Sequence, residues 1–297
     1  MFIVCFGDGL GNQMFQYAFY LALKKKYPNN DVVMDIFRIY GGYIHNGFEL
    51  GDIFKIEVNN APFDKVLSLS DHFPNGKIRY KIVNKLQKIR RYLCGPKSSY
   101  ITQDDPTAFY KEVFLLSELN SYIFCGNWVN ENYFRECREE LYKEFAFPDI
   151  KDSRNMKYKE MIETTNSVSV HIRKGDYINS GMINLSLNYY KRAKEELEKE
   201  VHNPKYFIFT DDKEAIGEYL ELFTNSEVIE GNVGKKSYID MQLMSLCKHN
   251  IIANSTFSFW GAYLNKNSEK VVVAPDRAKL DFKYPFALSE WVIIPYE

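Results

Sequence analysis

The sequence predicts an α/β protein built as two lobes, each around a parallel sheet. Three observations carry that prediction. At 297 residues the chain exceeds one ordinary domain and suits two, at ~100–200 residues each. Its 45% apolar and 26% charged residues give a globular profile with enough apolar surface for two cores. Short apolar runs alternate with segments of helical periodicity at the start of the chain and again from about residue 165 on, the pattern of parallel strands joined by right-handed crossovers.

The first lobe opens on an apolar run, 2–6, read as a strand, and Gly7-Asp8-Gly9-Leu10-Gly11 makes the turn after it. From 12 to 27, Met14, Phe15, Ala18, Phe19 and Ala22 recur at helical spacing, and 31–35 is strand-like again. In the second half 167–173 alternates as a strand, and 188–200 is an amphipathic helix rich in Lys and Glu. Strand 206–210, helix 213–222, strand 226–229 and helix 237–247 follow, then strand 250–253, helix 259–264 and a last strand, 270–274. Residues 60–120 are the least regular, and no internal repeat or low-complexity tract is present. The boundary is expected in the polar, Pro148-containing stretch 147–166, giving lobes 1–155 and 156–297, with the last segment free to return to the first lobe.

Composition removes several classes. Lys+Arg 38 against Asp+Glu 39 leaves a formal charge of −1, without the basic excess of a general nucleic-acid binder. The five cysteines, Cys5, Cys94, Cys125, Cys137 and Cys247, are scattered and form no Cys-x-x-Cys, which speaks against a disulfide framework and a zinc ribbon. They read as reduced thiols, so the expected compartment is the cytoplasm. The start, Met1-Phe2-Ile3-Val4-Cys5-Phe6, lacks the basic opening and long apolar stretch of a signal peptide, and no run of ~18 apolar residues is long enough to span a bilayer.

One segment, 79–93, is both basic and periodic. It carries Arg79, Lys81, Lys85, Lys88, Arg90 and Arg91, and its apolar residues Ile82, Leu86, Ile89 and Leu93 share one helical face. Two readings fit: a peripheral contact with the inner membrane, reaching lipid-linked substrate, or a solvated basic face over a core stripe. The second is the commoner arrangement and is the expectation.

Three stretches could carry chemistry. In 7–13 a strand runs through glycines into a helix, a geometry in which N–H groups and the macrodipole face an anion. Asn12 stands where the third glycine of a dinucleotide fingerprint belongs, and no Gly-Lys-Ser or Gly-Lys-Thr follows; a tight turn without ligand fits equally. In Val168-Ser169-Val170-His171-Ile172-Arg173-Lys174-Gly175-Asp176-Tyr177, His171 and Arg173 point the same way from a strand end, where open α/β sheets bind ligands. Arg173 can fork onto phosphate oxygens, or pair structurally with Asp176; His171 alone reads as a satisfied structural histidine. In Asn254-Ser255-Thr256-Phe257-Ser258-Phe259-Trp260-Gly261 a strand ends in small polar residues and enters a helix. Capping accounts for one of them, so an anion or sugar is favoured modestly, and Phe257 could stack on a base. Lesser candidates are Asp211, Asp212 and Asp240 as acceptors toward a ribose or guanine, His45 and Asn46 toward sugar hydroxyls, and Trp128 as a stacking surface. There is no Asp-x-Asp, His-Glu-x-x-His or Gly-x-Ser-x-Gly.

Taken together, Gly9-Leu10-Gly11-Asn12-Gln13-Met14-Phe15-Gln16-Tyr17-Ala18, His45-Asn46-Gly47-Phe48, His171-Ile172-Arg173-Lys174-Gly175-Asp176-Tyr177 and Asn254-Ser255-Thr256-Phe257-Ser258-Phe259-Trp260-Gly261-Ala262 resemble the bacterial α-1,2-fucosyltransferases, glycosyltransferase family 11. The family often has Arg where Lys174 stands, Ser where Thr256 stands and Trp where Phe259 stands. The resemblance implies two Rossmann-like lobes of the GT-B type, with GDP-fucose held mainly by the C-terminal lobe. It implies inverting, metal-independent transfer of L-fucose to the 2-hydroxyl of a terminal galactose in an oligosaccharide. Arg173 would bind the β-phosphate and stabilise departing GDP; His171, Gly11 and Asn12 would line the diphosphate. Asp240 would read guanine, and Ser255, Thr256 and Phe257 would contact donor. His45, Asn46 and Trp128 would meet the acceptor. No general base is identified; Asp8 reads only as a turn-forming residue.

The nearest rivals are a GDP-fucose transferase of another linkage or another nucleotide-sugar transferase. A lectin using the 22 Tyr, 22 Phe and 3 Trp as stacking platforms would need no Arg173 beside a helix start. An NAD-dependent oxidoreductase is disfavoured by Asn12 in the glycine turn.

Overall fold

The computed structural model describes residues 1–39, 46–73, 78–174 and 182–297. The chain divides into Met1–Ala146 and Phe147–Glu297. In the first unit the elements are β1 (Phe2–Cys5), α1 (Leu10–Lys26), β2 (Val32–Asp35), α2 (Glu49–Phe54), α3 (Phe63–Leu69), α4 (Ile78–Cys94), β3 (Tyr100–Thr102), β4 (Tyr122–Cys125) and α5 (Arg138–Glu144). Its strands run in the order β2-β1-β4-β3, with every pairing parallel. Both faces of β1 are buried, as a parallel sheet requires. Ile3 and Cys5 pack with Val33, Val66 and Ile123 on one side. On the other, Phe2 meets Tyr27 and Phe124 edge to face, and Phe19 brings α1 against Phe124. Helix α1 is buried nearly all round from Leu10 to Leu23 and ends in Lys24, Lys25 and Lys26, cations placed where the macrodipole is negative.

The second unit holds α6 (Ser153–Thr164), β5 (Ser167–Ile172), α7 (Leu187–Glu198), β6 (Lys205–Thr210), α8 (Gly217–Leu222), β7 (Ser226–Val228), α9 (Tyr238–Leu246), β8 (His249–Ile251), α10 (Thr256–Tyr263), β9 (Val272–Pro275) and β10 (Val292–Ile294). The order is β10-β9-β8-β5-β6-β7, again parallel throughout. Counted from β5, this is the doubly wound 3-2-1-4-5-6 arrangement of a Rossmann-like sheet.

Residues 147–166, read as the polar boundary, begin at the division between the two units and contain α6. Asp152 caps it by accepting from the Asn155 N–H at 3.0 Å, and Ile162 is buried with Phe207, Phe209, Ile239 and Leu243 of the second unit. The segment looks polar because only one flank of α6 is covered. The chain end runs in β10, which pairs Val292 with Val273 in this same sheet. Helix α4 corrects the expectation of a basic face over a core stripe: Ile82, Leu86, Ile89 and Leu93 are exposed, and α4 is held to its lobe by other residues. Periodicity finds the stripe; it does not say which way the stripe faces.

Candidate functional site

In an open α/β sheet the ligand crevice lies beyond the carboxyl ends of the two strands where the strand order reverses. In the second lobe those strands are β5 and β8. Strand β5 runs into His171, Arg173 and Lys174, and β8 into Asn254, Ser255, Thr256 and Phe257. Two motifs more than 80 positions apart are thereby brought side by side, and the His171 and Phe257 rings lie 6.0 Å apart.

Arg173 Nε donates to Asp211 Oδ2 at 3.0 Å, and Asp211 Oδ1 accepts from the Lys174 N–H at 3.0 Å. Asp211 follows β6, so the neighbouring strand sets the direction of the guanidinium. Asp176, the partner considered from sequence, lies outside the described residues, as do Gly175 and Tyr177. Lys174 turns its ammonium over the Tyr219 ring, 5.2 Å from the centroid, a cation–π contact that gives this residue a place. His171 is buried; burial first, and Arg173 second, pull its imidazole down to about 3, so the ring is neutral. It cannot add positive charge to a phosphate site and can offer one N–H; its Nδ1 has no hydrogen-bond partner among the described residues.

The small polar residues after β8 divide into scaffold and surface. Asn254 Nδ2 donates to the Ile183 and Ala278 carbonyls at 2.7 and 3.1 Å. Ser255 caps α10, its Oγ accepting from the Phe257 N–H at 3.3 Å. Ser258 Oγ donates to the Ala253 and Ser255 carbonyls. Local backbone hydrogen bonds therefore engage three of the four small polar residues, Asn254, Ser255 and Ser258, where a single cap would engage one. Thr256 and Phe257 stay half-exposed, and Phe257 packs on the cluster holding Ile239 and Leu243 of α9.

Helix α9 also carries Asp240. Its Oδ1 accepts from Asn232 Nδ2 at 2.8 Å, and Asn232 exchanges a reciprocal amide pair with Asn155 at 2.9 Å. Burial pushes the Asp240 carboxyl up to about 7, outweighing the Asn232 hydrogen bond and the cations Lys213 and Arg154. Arg154 lies over Gly231, whose φ of +85° and missing Cβ allow that approach.

The first lobe has its own reversal between β1 and β4, and a cavity of about 280 Å³ opens there. That is near the lower end of ordinary ligand pockets, ~300–1,000 Å³. Asp8, Arg38, Gln103 and Asn127 give it polar walls. Asp8 holds a left-handed φ of 62°. Burial works against the Arg38 charge, but Cys5, Cys125, Tyr100 and Asp8 around it outweigh burial and hold it protonated. The floor is Gln16, whose Oε1 accepts from the Gly7 N–H at 3.0 Å while Nε2 donates to Asn127 Oδ1 at 3.1 Å, joining the ends of β1 and β4. Gln13 staples the next loop: Nε2 donates to the Asp8 and Gly47 carbonyls, and Oε1 accepts from the Glu49 N–H, all at 2.9 Å. Sequence reasoning passed over both glutamines; two buried amides at i, i+3 in an apolar helix were the available signal.

One expectation is overturned in this lobe, and the structure gives partners to two other residues named there. Trp128 is fully buried, stacked on Phe19 with centroids 4.1 Å apart and planes at 9°, so it is core and not a sugar platform. The Asn12 N–H is bonded to the Gly9 carbonyl at 3.0 Å, which leaves its side chain rather than its N–H to meet a ligand; Gly11 is buried beside it. Asn46 Nδ2 donates to Glu49 Oε1 at 3.1 Å, and His45 lies outside the described residues.

The family profile described as glycosyl transferase family 11 matches residues 1–295. An alpha-1,2-colitosyltransferase of Escherichia coli is 35% identical over 280 residues, covering 90% of this chain and 88% of that protein. The O-antigen biosynthesis glycosyltransferase WbnK of Escherichia coli is 27% identical over 294 residues, covering 91% and 92%. Among solved structures, Arabidopsis thaliana FUT1 in complex with GDP aligns over 95% of this chain and 71% of its own, with a TM-score of 0.50 and 10% identity, a likeness of fold.

Proposed function

The chain belongs to glycosyl transferase family 11, with the α/β lobes of a GT-B transferase, and we propose that it moves L-fucose from GDP-β-L-fucose to the 2-hydroxyl of a terminal galactose, inverting the anomeric centre without a metal ion. One observation carries this reading: Arg173, oriented by Asp211, stands beside the neutral His171 and the capped start of α10 at the sheet's reversal point. Such a place suits a nucleoside diphosphate. As the bond from C1 to the β-phosphate oxygen breaks, its electron pair leaves with GDP and negative charge grows on that phosphate. A fixed guanidinium and the α10 N-terminus stabilise that charge in place. Ser255, Thr256 and Phe257 meet the donor, and Asp240 accepts from the N–H groups of a guanine edge. Gly11 and Asn12 serve the diphosphate through the Asn12 side chain.

The acceptor belongs in the first-lobe cavity, where amides and both charge signs suit sugar hydroxyls. There the Asp8 carboxylate takes the proton from the attacking hydroxyl as the new C1–O bond forms. The relative at 35% identity is described as a colitosyltransferase, which favours a second reading in which the donor sugar is colitose.

The test is incubation of the purified chain with GDP-fucose, or with the corresponding colitosyl donor, and a panel of galactosides, with the product linkage read by NMR. Transfer to the 2-hydroxyl supports the reading, and the better donor chooses the sugar. Preference for UDP or ADP over GDP in titration calorimetry overturns it, as does wild-type turnover by Arg173→Ala or Asp8→Asn.

A further inference from the structure

Helix α4 is attached to the first lobe by its polar side. Asn84 Nδ2 donates to the Phe73 carbonyl at 2.6 Å and Oδ1 accepts from the Phe73 N–H at 2.7 Å. Gln87 Nε2 donates to the Leu67 carbonyl at 3.2 Å, and Arg90 pairs with the buried Asp71. Tyr80 supplies an apolar contact, tilted against Phe73. On the opposite side Ile82 is 60% exposed, Leu86 62%, Ile89 49% and Leu93 73%. At 100° per residue these four fall within about 60° of arc. Lys81, Lys85 and Lys88, all exposed, border the stripe on one flank, with Tyr92 among them. The 17-residue helix carries six Lys and Arg and no Asp or Glu, in a chain whose formal charge is −1. An amphipathic helix on a globular lobe ordinarily turns its apolar side inward. This one is inverted, and a continuous aliphatic stripe facing water marks a contact surface.

We propose that α4 docks the protein on an anionic lipid bilayer. The helix lies flat, with Ile82, Leu86, Ile89 and Leu93 among the upper acyl chains and Lys81, Lys85 and Lys88 on the headgroup phosphates. Charge selects this occupant over a second copy of the chain. A two-fold contact through α4 sets lysines against lysines, and the helix has no carboxylate to answer them. Among the described residues no helix is long and apolar enough to cross a membrane, so the contact is one of surface adsorption.

The test is flotation of the full chain with vesicles of pure phosphatidylcholine and with vesicles holding about 30% phosphatidylglycerol. No sugar donor or acceptor is present, so the result stands apart from the proposed activity. Wild type floats with the anionic vesicles only, and about 0.5 M salt releases it. Lys81→Glu/Lys85→Glu/Lys88→Glu lowers partitioning by on the order of 100-fold, at about 5-fold per lysine removed. Leu86→Glu/Ile89→Glu also abolishes flotation; both side chains are exposed, so the melting temperature is retained. Failure of wild type to float overturns the proposal, as does flotation unchanged in both variants. A dimer broken by Leu86→Glu in a chain that binds no vesicle overturns it too and assigns the stripe to a second copy.

Discussion

GDP binding is expected to weaken about tenfold between pH 8 and pH 6, because the carboxyl assigned to guanine titrates inside that window. Burial raises the Asp240 carboxyl to about 7 against the pull of Asn232, Lys213 and Arg154. Only the carboxylate accepts from both N–H groups of a guanine edge. It is roughly nine-tenths ionised at pH 8 and roughly one-tenth at pH 6, which gives the tenfold loss, about 1.4 kcal/mol. Calorimetric titration of GDP at three pH values reads it. The terminal phosphate of GDP also takes up a proton in this range, so the informative quantity is the ratio of wild type to Asp240→Asn, in which the phosphate cancels. The free protein gives an independent reading of the opposite sign. With its folded pKa above the ordinary carboxylate value of ~3.9, Asp240 contributes stability that is fully present below that value and is lost as pH rises through about 7. Asp240→Asn therefore melts above wild type at pH 8 and level with it at about pH 4. A GDP affinity flat from pH 6 to 8, or the same slope in Asp240→Asn, refutes the reasoning.

Arg173→Lys keeps a cation but loses the Nε contact to Asp211; kcat for transfer is expected to fall by ~10²–10³-fold with an unchanged melting temperature. Trp128→Ala removes a ring packed wholly inside the first lobe and is expected to cost about 3–5 kcal/mol in denaturant unfolding, with any surviving activity showing an unchanged acceptor KM. Gly126→Ala puts a methyl 2.5 Å from Gln103 Oε1, which holds the Trp128 N–H at 2.8 Å; acceptor KM is expected to rise while donor KM stays fixed. Transfer is expected to run at full rate in excess EDTA, and a strict Mn²⁺ or Mg²⁺ requirement contradicts the metal-free mechanism.

How far the sequence reached follows from what kind of information each feature needs. Runs such as 167–173 and 206–210 reveal themselves because β5 is buried throughout and, His171 apart, is built of apolar and small residues, while β6 is buried from Tyr206 to Phe209. The order of the strands is another matter. That β5 lies beside β8, and so that Arg173 lies near Phe257, depends on pairings across about 80 residues that no local pattern encodes. The region 60–120 is irregular in sequence because its strand β3 has only three residues; the apolar period of α4 is visible there, but the side it turns to solvent is not. Trp128 looked available because its neighbours Gly126 and Asn127 are small and polar. They line the cavity while a φ of 54° at Trp128 accompanies a ring packed into the core. The tract after β8 misled in the opposite direction: Asn254 and Ser258 are there to satisfy carbonyls at a strand-to-helix turn, a demand invisible until the backbone is placed.

The charges at the second lobe's reversal point also explain why the pH experiment is readable. His171 is the residue that ordinarily titrates near neutrality, yet burial beside Arg173 keeps it uncharged throughout the working range. Lys174 is directed onto Tyr219, and the Arg173 guanidinium, whose partner Asp211 fixes one edge, does not deprotonate in water. His171 therefore adds no pH-dependent charge beside Arg173 from pH 6 to 8. The change falls instead at Asp240, whose hydrogen-bonded chain through Asn232 and Asn155 ends at Asp152, a carboxyl held below the usual range by Asn155. Two carboxyls on one amide relay are thus pushed in opposite directions, one by burial and one by hydrogen bonds at the surface. Asp152→Ala leaves the Asn155 amide without its carboxylate, so the relay shifts and the pH midpoint of GDP binding moves with it. A midpoint near 7 that persists in Asp152→Ala would mean that burial alone sets the Asp240 titration.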